Sequence, residues 1–240
     1  MEFTFDAYKA LINLSIKNGY EICSYEDVDH YNKSIILRHD VDFSPHKALE
    51  IAKIEQEIGV KSTFFVLLST EFYNVFSSET FKIFVEILDM GHKIGLHFDE
   101  QRYKTFSLEI MKEHILNESD ILGKALSTNI EVVSMHRPSE FTLESSTEVE
   151  GMINSYSHKY FKDMKYLSDS RMNWREDPMK IITSNQYSKL HILTHPFWYT
   201  GIVEGVQDKL SRFLNEANDY RYNLVDKNFR NLNEYIKREK

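Results

Sequence analysis

Short apolar runs alternate with stretches of helical periodicity along this chain, and five of the runs end in a histidine, an arginine or an aspartate. Such alternation points to βα units and a mainly parallel sheet, because consecutive parallel strands need a long crossover that a helix supplies. "FDAYKALINLSIKNG" reads as an opening helix ended by Gly19, and "SIILRHDV", too brief for a helix, as a strand. In "SPHKALEIAKIEQEIG", Ser44 is placed to cap the helix, Pro45 to take its first position and Gly59 to end it. "VKSTFFV", "HKIGLHF", "EVVSMH", "KYLSDS" and "KLHILTHP" are further strands. Helices are expected over "SSETFKIFVEILDMG", residues 107–127 and residues 202–217, before a polar tail.

Composition narrows the functional classes. With 240 residues the chain can bury a substantial core. Its net charge is −8 and it has no long Lys/Arg run, which argues against a nucleic-acid partner. A single cysteine, Cys23, excludes a disulfide framework and a cysteine-based zinc site. The start carries Glu2 and Asp6 and does not read as a signal peptide, and no run approaches the ~20 apolar residues of a membrane span. A cytoplasmic protein is expected.

The polar residues collect at one place. Asp40 and Asp42 follow "SIILRH", His97 follows "HKIGL", His136 and Arg137 follow "EVVSM", Asp169 follows "KYL", and His195 follows "LHILT". Each group lies at the C-terminal end of a strand, the face on which parallel barrels and open α/β sheets build their sites. Residues i and i+2 of a strand share a face, so Asp40 and Asp42 can enter one cavity, one holding a cation and the other moving a proton. Alternatively, Asp42 caps the loop before Ser44 and Asp40 pairs with Arg38. His97 and His195 are metal ligands or proton carriers, or else hydrogen-bonded core histidines. His92, at the opposite end of its strand, reads as structural. Arg137 is placed to pair with Asp169 or to bind an anionic group. Trp174 is a sugar-stacking wall or a core residue.

The order and spacing of these segments resemble the polysaccharide deacetylases, the NodB-homology domain of carbohydrate esterase family 4, over residues 33–200. "HDVD" looks like the Asp-x-Asp form of the first motif of that family, and "GHKIGLHFDEQ" is similar to the second as far as His97. "HRPSE", "SDSRMNW" and "LTH" resemble the third, fourth and fifth. The resemblance implies a distorted (β/α)-type barrel of about seven mostly parallel strands with surrounding helices. The expected organisation is one catalytic domain over residues 1–240, with the first helix and the C-terminal helical tail as additions. The resemblance also implies Asp40 as catalytic base and Asp42 as metal ligand, with His97 beside it. One departure stands out: Gln101 occupies the position of the second metal histidine, and glutamine is a poor zinc ligand. Asp99, Glu100 or His136 can substitute, and Asp99 is taken as the third ligand.

The implied activity is hydrolysis of an N-acyl group, N-acetyl first, from a saccharide or saccharide precursor. A divalent metal, with zinc the leading candidate, polarises the carbonyl and activates water. His195 is the acid for the leaving amine, Arg137 and Asp169 orient Asp40, and Trp174 and His136 lie at the substrate. Two alternatives remain: a non-catalytic carbohydrate-binding protein on a degenerate scaffold, motivated by Gln101, and a metal-free amide hydrolase. A phosphohydrolase of the His-Asp type ranks low, because such pairs sit on helices and this one ends a strand.

Overall fold

The computed structural model describes residues 1–103, 107–145 and 147–236. Helix α1 (Phe5–Lys17) and strand β1 (Glu21–Cys23) lead into β2 (Ser34–Val41). Next come α2 (Pro45–Ile58), β3 (Thr63–Leu67), α3 (Ser78–Asp89), β4 (Lys93–Phe98), α4 (Leu108–Leu126) and β5 (Val132–Met135). A short α5 (Glu140–Glu144), β6 (Ile153–Asn154), β7 (Lys165–Ser168), α6 (Pro178–Ser184) and β8 (Lys189–Thr194) complete the strand-bearing part.

Among the described residues the eight strands form one sheet with the order β6-β5-β4-β3-β2-β8-β7, and β1 joins β2 off this path. Every pairing is parallel. Strand β2 is the hub. Its first residues pair with β1 and its last with β3, while β8 runs along its other side. All eight of its positions are buried. The sheet curls into a partial barrel ringed by helices, as expected, with eight strands in place of about seven.

Local chemistry places the helices. Ser44 Oγ accepts from Lys47 N at 3.3 Å, Pro45 occupies the first turn, and Gly59 takes φ 87° at the C-cap, a conformation that favours glycine. Ala48, Ile51, Ala52 and Glu55 are the buried face of α2, following the spacing of an amphipathic helix. Burial of a side chain such as Ile51 contributes roughly 1.5–3 kcal/mol. Glu55, the one acid in that stripe, receives Tyr8 Oη at 2.5 Å and Ser62 Oγ at 2.6 Å, and lies 2.9 Å from His39 Nε2. His39 Nδ1 in turn lies 2.6 Å from Thr194 Oγ1, which links α2 through β2 to β8.

Inside the curl, Phe65 is the register partner of Gly95. A Cβ on Gly95 would lie 2.6 Å from the Phe65 ring and 2.9 Å from the Val132 carbonyl oxygen, so only glycine admits this ring. The short β1, β6 and α6 were not anticipated: segments of three, two and seven residues carry too little periodicity to be read.

By internal contacts the chain divides into two units, Met1–Gly201 and Ile202–Lys240, and the motif-bearing span 33–200 falls within the first. The second unit contains α7 (Val206–Asn228) and α8 (Leu232–Tyr235), with Glu204 Oε2 accepting from Arg212 Nη2 at 2.9 Å. Helix α7 runs 11 residues beyond the expected end at 217. No helix among the described residues is long and apolar enough to cross a membrane.

Candidate active site

Alternation along β2 turns Arg38, Asp40 and, one residue past the strand, Asp42 to the same side. Asp40 is only 4% exposed. Its Oδ1 accepts from Arg38 Nε and its Oδ2 from Arg38 Nη2, both at 2.8 Å, a two-point fork typical of arginine and carboxylate. Burial pushes the Asp40 carboxyl up, but Arg38, then His97 and His195, outweigh burial and hold it below the usual carboxylate range. The pairing of Asp40 with Arg38 was one of the two readings of the sequence. The capping role for Asp42 falls to Ser44 instead.

Asp42, His97 and His136 offer three donor atoms that all lie within 4.8 Å of one another. His97 Nε2 is 3.3 Å from Asp42 Oδ1, and His136 Nδ1 is 3.5 Å from that oxygen and 3.2 Å from His97 Nε2. Three strands supply them. Asp42 follows β2, where Tyr73 Oη donates to the Val41 carbonyl at 2.7 Å and accepts from Leu67 N at 2.9 Å, lacing β2 to β3. His97 is on β4. His136 follows β5 and continues its ladder by donating from N to the Phe98 carbonyl at 2.8 Å. With β3 and β4 between β2 and β5, the meeting of His136 with Asp42 records how tightly the sheet curls.

These residues fit a divalent ion. Asp42 Oδ1 is buried without a hydrogen-bond partner among the described residues, an arrangement that an electropositive ligand would relieve. Burial alone pushes the Asp42 carboxyl up, and His97, then His195 and His136, hold it well below the usual range, so it is anionic. Burial and the neighbouring His97 lower His136, which favours the neutral imidazole that a metal needs. One carboxylate and two imidazoles are a donor set of the kind that holds a divalent ion such as zinc.

His195 faces the cluster from the other side. Its Nδ1 lies 2.6 Å from Asp169 Oδ1, and its backbone N donates to the two Asp169 oxygens at 3.0 and 3.1 Å. Tyr199 Oη adds a bond to Asp169 Oδ2 at 3.1 Å. Nε2 is left pointing toward Asp42 Oδ2, 3.8 Å away. Burial pushes the His195 imidazole down, but the Asp169 carboxylate prevails and carries it up to about 9.

The structure separates other expected partners. Arg137 does not pair with Asp169. It is 67% exposed, has φ 48°, and donates from Nη2 to Asp99 Oδ2 at 2.9 Å. Sheet order explains this: Asp99 follows β4, the neighbour of β5, whereas Asp169 follows β7 at the far edge. Asp99, expected as third ligand, is also engaged by Gln101 N on Oδ1 at 3.1 Å, and His136 stands in the donor cluster instead. Glu100 accepts from Ser139 N at 2.5 Å and from Thr142 Oγ1, which commits it to the α5 loop. Gln101 is exposed. Trp174 is half-buried on the loop after Asp169, beyond Arg171 and Met172, which both take positive φ. An aromatic cluster was missed. Phe43 follows Asp42, and its ring centroid lies 4.8 Å from that of Phe72 and 4.8 Å from that of Phe197, two residues after His195. The positions of Phe43 and Phe197 close to Asp42 and His195 in sequence were the available signal, and Phe72 had none.

No protein-family profile matches the chain, and no curated protein matches it. Solved structures do. The chain is similar in structure to family 4 carbohydrate esterases. One, from Bacillus anthracis, is 18% identical with a TM-score of 0.45, over 87% of this chain and 85% of that one. A mutant of the peptidoglycan deacetylase PdaC from Bacillus subtilis gives 16% identity and a TM-score of 0.47, over 82% of this chain and 99% of that one. A family 4 pseudoenzyme from Bacillus anthracis gives 14% and 0.45, over 79% of this chain. This chain spans 62% of that pseudoenzyme's length. At such identities and scores the likeness assigns no activity, which has to come from the site's own geometry.

Proposed function

We propose that this chain is a metal-dependent hydrolase that removes an N-acyl group, N-acetyl first, from a saccharide. The observation that carries the reading is the meeting, on one rim, of a buried carboxylate (Asp40), a three-donor cluster (Asp42, His97, His136) and an imidazole charged by its own acid (His195 with Asp169). Asp42, His97 and His136 are the residues that would hold the ion. When bound, a divalent ion supplies Lewis-acid polarisation of the amide carbonyl and acidifies water.

In this reading Asp40 accepts a proton from the water whose oxygen bonds to the carbonyl carbon. His195 donates from Nε2 to the amine nitrogen as the C–N bond breaks, giving a carboxylate and a free amine. Asp169 keeps the ring charged and fixed for that step. Each positioned acid or base typically contributes about 10²- to 10⁴-fold. The rings of Phe43, Phe72 and Phe197 offer an apolar wall to the face of a sugar, with Trp174 and His136 as further contacts. A small N-acetyl saccharide or a saccharide precursor, met in the cytoplasm, is the expected substrate.

The test is acetate release from N-acetylated mono- and oligosaccharides by zinc-loaded protein, with Asp40→Asn as the blank. Release that a chelator abolishes supports the reading. A protein that binds zinc and sugar yet releases no acetate rejects it in favour of carbohydrate binding alone.

A further inference from the structure

Arg38 lies outside the segments quoted above as carrying metal or acid–base chemistry, yet it is fully buried directly beneath the rim. Its side chain is fixed at every polar atom. Nε and Nη2 grip the two oxygens of Asp40, Nη1 donates to Ser155 Oγ at 3.3 Å, and Nη2 also donates to Ser134 Oγ. The rings of Phe65 and Tyr156 flank the guanidinium, with centroids 5.2 and 4.9 Å from Cζ. A planar, five-donor cation held in this way presents its fork in one orientation.

The grip matters because Asp40 is within reach of the metal donors. Asp40 Oδ2 is 3.5 Å from His97 Nε2, the same nitrogen that lies 3.3 Å from Asp42 Oδ1. A freed Asp40 can turn an oxygen toward that nitrogen's ligand. It would then be a fourth protein donor, and zinc sites closed by four protein ligands are structural ones, whereas catalytic sites keep a position open.

We propose that Arg38 is a positioning residue which, by occupying both oxygens of Asp40, keeps this carboxylate from binding the ion held by Asp42, His97 and His136. The outcome is an open coordination position and a carboxylate left available to water. The inference rests on those three residues being metal ligands, and it stands apart from whether the protein hydrolyses anything.

Zinc affinity, measured by calorimetry against a competing chelator, tests it without reference to turnover. Arg38→Met, which keeps the apolar stem between Phe65 and Tyr156, is expected to bind zinc roughly tenfold more tightly, within the range that partners of metal ligands contribute. Because that variant leaves Asp40 without its cation and strains the fold, Arg38→Lys is measured beside it. Lysine keeps the charge but reaches as a point rather than a fork, and about threefold tightening is expected. Asp40→Asn alone should change affinity by less than about twofold, and in either Arg38 background it should abolish the gain. Unchanged or weaker zinc binding in Arg38→Lys overturns the proposal, as does tightening that survives Asp40→Asn. Absence of zinc binding throughout overturns both this proposal and the hydrolase reading. Zinc binding with the expected gain but no acetate release removes the hydrolase reading alone.

Discussion

His195 and Asp169 are joined twice: the ring Nδ1 lies 2.6 Å from Oδ1, and the backbone N of His195 donates to the carboxylate at 3.0 Å. The acid therefore holds both the ring and the chain that carries it. Asp169→Asn should keep much of the position and lose the charge that sustains the imidazolium. We expect kcat to fall about 100-fold with zinc content unchanged, the low end of what a positioned acid supplies. Steady-state kinetics with elemental analysis on the same preparation decides it; a fall in KM affinity alone would count against the acid role.

Asp40 and Asp42 are two residues apart and should fail differently. Asp42→Ala removes an oxygen that lies beside both imidazoles and should strip the metal. Asp40→Asn should retain metal and lose turnover by roughly 10³-fold, the scale of a lost general base. Equal metal loss in the two variants contradicts this division.

Gln101 and His136 form a second contrast. Gln101 points to solvent, so Gln101→Ala should leave zinc affinity within about twofold, as for most exposed substitutions. His136→Ala removes one of three clustered donors and should weaken zinc at least tenfold. Zinc titrations of both proteins test the pair, and the reverse ranking would return the third ligand to the "HFDEQ" segment.

Glu55 connects pH to stability. Burial pushes its carboxyl up, but His39, then His92 and Ser62, hold it below the ordinary value. A depressed carboxyl stabilises the fold at pH above its unfolded value of about 4.3 and loses that contribution as pH falls through the folded value. Glu55→Gln should therefore cost about 1–3 kcal/mol near neutrality, with the difference from wild type shrinking on acidification. Urea melts at several pH values measure this; a deficit that grows below pH ~4 contradicts the sign.

Much of this architecture is legible in the residues alone. "SIILRHDV" and "SPHKALEIAKIEQEIG" declare themselves because strand length, N-cap, first-turn proline and terminal glycine all agree, and β2 spans Ser34–Val41 with α2 following from Pro45. The convergence of Asp40, Asp42, His97, His136 and His195 follows from their shared place after parallel strands. What could not be read was which neighbour each would meet. Arg137 depends on sheet order, which puts β5 beside β4 and far from β7. Arg38 was seen only as a possible partner of Asp40. Its burial depends on Ser134 and Ser155, small hydroxyl residues from distant segments that line the space for a guanidinium. That His136 rather than Asp99 meets Asp42 and His97 depends on curvature, and no one-dimensional pattern encodes that.

Strand β2 has neighbours along both sides and is covered on both faces, so the hydrogen exchange of its amides should be among the slowest in the chain. The strand carrying Asp40 and leading to Asp42 thus belongs to the last part of the molecule to melt, while Arg137 and Trp174 lie on loops outside the parallel ladder. A change in those loops can then leave the carboxylates beneath them in place.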